Sequence, residues 1–133
     1  MILPKKKFIK SHFIEVEKII KNFVQNYPNA KSLDYGCGGK NSKKFFEKGA
    51  YYTAEVSNSY NPDYLIVEDR INCNDNYFDL VLCVDVLEHC FEPLKSLDEM
   101  LRVTKKGGLI ILTYPFSCNY HQEPYFYSSG FSE

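Results

Sequence analysis

Leu33-Asp34-Tyr35-Gly36-Cys37-Gly38-Gly39 joins a short apolar run to a glycine-rich turn, where a ligand could approach bare backbone. Glycine at Gly36 and Gly38 removes the Cβ that blocks close approach and opens positive φ angles. The chemistry this suits is the binding of a nucleotide-like cofactor. About twenty residues further on, Tyr51-Tyr52-Thr53-Ala54-Glu55-Val56 reads as a strand that ends in a carboxylate. An acid at that spacing accepts hydrogen bonds from both hydroxyls of a ribose. Glu55 is therefore the candidate ribose ligand, with Val56 beside it. A dinucleotide fingerprint, Gly-x-Gly-x-x-Gly, has its third glycine where this chain has Asn41, which weakens a nicotinamide or flavin reading.

These residues need elements to position them. Asn41-Ser42-Lys43-Lys44-Phe45-Phe46-Glu47-Lys48-Gly49 reads as a short helix, with Asn41 or Ser42 as N-cap and Gly49 just past its end. Tyr64-Leu65-Ile66-Val67 is a short apolar run that predicts a third buried strand, followed by Glu68 and Asp69. Tyr77 to Asp85 is nearly continuously apolar, as a central parallel strand covered on both faces requires. From Glu92 to Thr104 the pattern is helical, with Pro93 in the first turn and Leu94, Leu97, Met100, Leu101 and Thr104 on one stripe. Lys105-Lys106-Gly107-Gly108 stops it, and Leu109 to Tyr114 predicts a fifth buried strand. Before the first strand, Ile9, Phe13, Val16, Ile20 and Phe23 or Val24 recur at helical spacing, so residues 7 to 26 read as an amphipathic helix that ends at Pro28-Asn29. Strands that alternate with helix-length connections favour a parallel sheet with right-handed crossovers. Ligands bind such open sheets beyond the strand carboxyl ends. Asp34 to Gly39, Glu55, Glu68 or Asp69, and Asp85 all fall there.

The same segments resemble the class I S-adenosylmethionine-dependent methyltransferases. Asp34 stands two places before Gly36-Cys37-Gly38, where the first motif of that family has its acid; the family often has one more glycine, where this chain has Lys40. Phe78-Asp79 with Leu87-Glu88-His89, and Arg102-Val103 with Lys105, Gly107 and Gly108 before a hydrophobic strand, are further landmarks. Tyr114-Pro115-Phe116 followed by His121-Gln122-Glu123-Pro124-Tyr125 continues them, so the resemblance covers residues 31 to 125. It implies a Rossmann-like α/β fold, a doubly wound and mostly parallel sheet, binding S-adenosyl-L-methionine. It places Asp34 near the cofactor's amino-acid end, Glu68 or Asp69 at the adenine amine, and Asp85 and Val86 along the methionine end, mostly through backbone. It also implies methyl transfer, an in-line displacement in which proximity and alignment do most of the work. A general base is needed only if the acceptor is protonated. His121 is the first candidate by position and His89 the second, although a single histidine after a strand is more often structural; no catalytic residue is assigned.

A chain of 133 residues makes one domain with a real core, divided here into an N-terminal helix segment, 1 to 30, and the cofactor-binding part, 31 to 133. Its formal net charge of -1 gives no field for duplex nucleic acid, and Lys5-Lys6-Lys7 with Lys10 reads as a solvated helix start. Five cysteines, Cys37, Cys73, Cys83, Cys90 and Cys118, fit neither a disulfide framework nor a zinc site. With no signal peptide and no long apolar run, a soluble cytoplasmic protein away from membranes is expected. Tyr114, Tyr120, Tyr125, Phe126 and Tyr127 either line an acceptor pocket or pack a terminal segment.

The family usually carries two strands after the fifth, whereas only Ser117 to Glu133 follow here, so five strands are expected and strands six and seven are expected to be missing or truncated. An exposed edge on strand five invites pairing with another chain. A truncated chain, completion by dimerisation, and a degenerate domain would each account for it. Two functions follow: methyl transfer to an unidentified small-molecule acceptor, or a methyltransferase-like cofactor-binding module that needs self-association or a partner. A nicotinamide-dependent oxidoreductase is the third.

Overall fold

The computed structural model describes residues 5–39, 42–115 and 127, with side chains from residue 14 onward. Helix α1 (Lys5–Asn26) leads into strand β1 (Lys31–Tyr35). Strand β2 (Ala50–Glu55), the two-residue β3 (Tyr64–Leu65) and β4 (Phe78–Val84) follow, then helix α2 (Pro93–Val103) and β5 (Thr104–Thr113). The five strands form one sheet in the order β3-β2-β1-β4-β5, and every pairing is parallel. The order reverses between β1 and β4. That is the switch point at which such sheets open a crevice for ligands.

Alternation along the strands divides the core between two layers. Leu33 and Tyr35 of β1 and Val81 and Cys83 of β4 pack with Met100 and Val103 of α2. Leu80 and Leu82 of β4 and Ile111 of β5 face the other way, against Val16 and Ile20 of α1 and against Phe46. Leu80 to Cys83 are all 0% exposed, as expected for a strand with a helix on each face. A Rossmann-like α/β architecture is thus established.

Several local expectations are corrected. The helix predicted over Asn41 to Gly49 is only one 3-10 turn, Lys43–Phe45, entered from Ser42. So short a segment cannot repay helix nucleation, and burying Phe46 pulls the backbone out of helical geometry. The third strand is an edge rather than a buried strand, with Leu65 39% and Val67 57% exposed. Val67 instead turns back to Arg70, the two exchanging N–H to carbonyl bonds of 2.9 and 3.0 Å.

The buried face of α2 is rotated from the predicted stripe: Ser96, Glu99, Met100 and Val103 point inward, while Leu94 and Leu101 lie outside. Polar partners for Ser96 and Glu99 make that inward face affordable. Thr104 ends the helix rather than extending it, its hydroxyl donating to Met100 O at 2.6 Å. Strand β5 therefore begins at Thr104, with Lys105 to Gly108 bulging opposite Asp79 and Gly107 at φ +79°. Asp79 fastens the bulge: its carboxylate accepts from Lys105 Nζ at 2.7 Å and from Lys31 N at 2.8 Å.

Candidate functional site

At the carboxyl edge of β1 the chain turns on Gly36, φ +74°, whose N–H donates to Ala54 O at 2.8 Å; Cys37 N donates to the same oxygen at 3.2 Å. A Cβ on Gly36 would lie 2.6 Å from both γ-carbons of Val86. The turn and the β4 loop therefore pack face to face only because Gly36 has no side chain. Gly38 is the opposite case, since a Cβ there meets no protein atom within 4 Å. Among the described residues its Cα face is open, which suits the close approach of a cofactor, while its N–H is taken by Glu55.

Glu55, at the end of β2, closes onto this turn. Its Oε2 accepts from Gly38 N at 3.0 Å and its Oε1 from Val56 N at 2.8 Å. The carboxylate is thus aimed along the sheet edge with both oxygens fixed, and each oxygen has a second lone pair for a ribose hydroxyl. Val56 is 61% exposed beside it.

Asp34 lies below the turn rather than in the open crevice, only 5% exposed. Its Oδ2 accepts from Tyr51 OH at 2.5 Å, and Ser42 supplies a second side-chain hydrogen bond. Burial pushes the Asp34 carboxyl above the usual aspartate range and the nearby Glu55 charge adds to this, while the Tyr51 and Ser42 donors pull it back.

Asp85 caps β4 at φ +53°. Its N–H donates to Thr113 O at 3.2 Å and to Thr113 Oγ1 at 3.1 Å, and its Oδ1 accepts from that hydroxyl at 3.0 Å. Val86 follows, and a 3-10 turn at Leu87–His89 brings the imidazole Nε2 of His89 within 3.8 Å of Glu88 Oε1. His121 lies outside the described residues, as do Phe116, Cys118, Tyr120, Tyr125 and Phe126.

Glu68 and Asp69 occupy the two central positions of the Val67 to Arg70 turn, at φ +49° and +61°. They part company there. Glu68 is exposed, whereas Asp69 is half-buried, with its Oδ1 accepting from Ser96 Oγ at 2.6 Å and its carbonyl from Tyr35 OH at 3.2 Å. A charged cavity of about 760 Å³ lies beside the pair, between this turn and α2.

The structure thus brings Asp34, Gly36, Cys37, Gly38, Glu55, Val56, Asp85 and Val86 to the ends of three adjacent strands, and Asp69 to the margin of the same edge. Tyr51, Ser42, Thr113, Tyr35 and Ser96, which hold these residues, escaped sequence reasoning because their partners are distant in the chain. Only Ser96 carried a signal, a hydroxyl one helical turn before Met100. Among the described residues no cluster of histidine, cysteine and carboxylate side chains could hold a metal ion, and no helix is long and apolar enough to cross a membrane.

The methyltransferase domain family matches residues 33–112. An uncharacterized protein of Methanocaldococcus jannaschii is 33% identical over 118 residues, 75% of this chain and 47% of its own. The malonyl-[acyl-carrier protein] O-methyltransferase of Buchnera aphidicola is 31% identical over 120 residues, 77% of this chain and 48% of its own. The chain therefore spans about half the length of the curated relatives it matches. Among solved structures, the trans-methyltransferase CalH in complex with SAH shares the fold, with a TM-score of 0.58 at 13% identity over 68% of this chain and 34% of that one. By its matched family and by the parallel sheet that carries the match, this chain belongs to the methyltransferase domain family, the class I S-adenosylmethionine-dependent methyltransferases.

Proposed function

We propose that the chain binds S-adenosyl-L-methionine across the ends of β1, β2 and β4 and directs its methyl group to a small-molecule acceptor. One observation carries the reading: the Glu55 carboxylate is locked to the N–H of Gly38, so the ribose acid and the open backbone of the turn form one rigid unit. In this reading Glu55 holds the ribose diol and Val56 lies along the adenine. The backbone of Gly36, Cys37 and Gly38 passes under the amino-acid end, with Asp34 fixing that turn from below. Asp85 and Val86 flank the methionine chain, and Asp69, rather than the exposed Glu68, meets the adenine amine.

The cofactor supplies an activated methyl on a sulfonium. The chain's part is to hold that carbon in line with the acceptor, which converts a bimolecular encounter into an oriented one. An acceptor that is protonated must also lose its proton. His121 is the first candidate by position, and His89, whose Nε2 lies 3.8 Å from Glu88 Oε1, is the second. A cytoplasmic location, with no part for membranes or duplex nucleic acid, completes the proposal; the near-neutral charge supports the last point.

Calorimetric titration with S-adenosylhomocysteine tests the cofactor site. The native chain is expected to bind, and Glu55→Ala to lose about ten- to a hundredfold in affinity, the worth of a charge-assisted hydrogen-bond pair. Equal binding by the variant would remove Glu55 from the site, and preference for NAD would overturn the whole reading. A second reading, a cofactor-binding module active only after self-association or with a partner, is favoured by the outer edge of β5, which has no strand against it among the described residues.

A further inference from the structure

Three residues of α2 at three-residue spacing, Ser96, Glu99 and Arg102, reach across to one loop, residues 69 to 75. Ser96 Oγ donates to Asp69 Oδ1 at 2.6 Å, and Glu99 Oε1 accepts from Ile71 N at 2.9 Å. Arg102 donates to Ile71 O at 3.2 Å, to Cys73 O at 2.7 Å and to Asp75 Oδ1 at 2.6 Å. Residues three apart share a helix face, so this is a single polar face that grips a single loop. Glu99 and Arg102 hold mostly backbone, as a fastening would. Ser96 alone holds the side chain of a candidate ligand residue.

That contact has a cost which packing alone does not explain. Ser96 is 0% exposed in the middle of the α2 face that packs on the sheet, where an alanine would avoid burying a hydroxyl. Two further polar groups, the Tyr35 hydroxyl and the Cys90 thiol, interact with its hydroxyl, and Tyr35 also donates to the Asp69 carbonyl. Asp69 is consequently held at two points, by its carbonyl from β1 and by Oδ1 from α2. A turn residue at positive φ with an unrestrained carboxylate would sample several rotamers. Here Oδ1 is engaged, and among the described residues Oδ2 is the oxygen left to accept from a ligand.

We propose that Ser96 is a positioning residue for base recognition: by fixing Oδ1 of Asp69 it orients Oδ2 to accept from the exocyclic amine of adenine, and so sets the preference for an adenine over a 6-oxopurine cofactor. The proposal rests on the assignment of Asp69 to the adenine. A purine with a carbonyl oxygen at that position puts an acceptor against the Asp69 carboxylate, and two acceptors cannot pair.

The experiment compares S-adenosylhomocysteine with S-inosylhomocysteine, which differs at the purine 6-position, by calorimetry on the native chain and on Ser96→Ala. The native chain is expected to favour the adenosyl ligand. Ser96→Ala is expected to cut that preference on the order of tenfold, mainly by weakening the adenosyl ligand. Tyr35→Phe, which removes only the hydroxyl on the Asp69 carbonyl, should lower the same ratio and serves if Ser96→Ala does not fold. In Asp69→Ala, addition of Ser96→Ala should change the ratio no further. If Ser96→Ala weakens both ligands equally, or leaves the ratio at its native value, the positioning role is overturned while the cofactor site stands. If the native chain binds both ligands alike, the adenine assignment of Asp69 falls and the proposal with it. If it binds neither, the cofactor reading itself fails.

Discussion

Gly36 joins conformation and packing in a single residue, which makes it the sharpest test of the turn. Its φ of +74° is strained for any side chain, and an added Cβ would meet two Val86 carbons at 2.6 Å. Val86 can escape only by moving the β4 loop. Gly36→Ala is therefore expected to cost about 1–3 kcal/mol of stability, the usual penalty for overpacking, and to weaken S-adenosylhomocysteine binding as well. Urea denaturation measures the first effect; an unchanged midpoint would show that the β4 loop yields freely. Asp34 is a different kind of residue. Only 5% exposed and bonded to Tyr51 and Ser42, it braces the turn from within the fold.

Helix α2 ties the loop that bears Asp69 to the sheet, and its polar face makes that element sensitive to acid. Although burial pushes the Glu99 carboxyl upward, the donors of Arg102, the Ile71 N–H and the charges of Arg102 and Arg70 outweigh it and leave Glu99 below the usual glutamate range. A carboxyl that releases its proton more readily in the folded state than in the unfolded chain adds stability above its ordinary value. That stability is lost as pH falls through the depressed one. Glu99→Gln should accordingly be less stable than the native chain at neutral pH, with the gap closing as pH falls below the usual glutamate range and through the depressed value. Denaturant midpoints taken across that range would show it; a gap constant with pH would mean that Glu99 contributes shape rather than charge.

For the whole molecule the surface that governs association is the edge of the sheet. β5 is ten residues long and pairs with β4 on one side, while among the described residues no strand covers its other side. A long apolar edge is a template for pairing with another chain. The 133-residue chain is expected to run as a dimer or larger species in size-exclusion chromatography with light scattering. A clean monomer at every concentration would leave the self-association reading without support.

Periodicity and turn chemistry by themselves determined much of this protein. The apolar run of β4, the glycines after β1 and the acid that ends β2 are local signals, and each stands where its spacing requires. Elements whose burial depends on distant partners are the ones that periodicity does not place. The inward face of α2 is Ser96 and Glu99 rather than Leu94 and Leu101, because Asp69, Ile71 and Arg102 satisfy those polar groups after the chain has folded. Hydrophobic patterning treats such residues as exposed, since the bonds that make their burial tolerable are invisible in one dimension. The difference between Glu68 and Asp69 has the same character. Adjacent carboxylates are equivalent in sequence, and only the hydroxyls of Ser96 and Tyr35, brought in from α2 and β1, distinguish the half-buried Asp69 from the exposed Glu68.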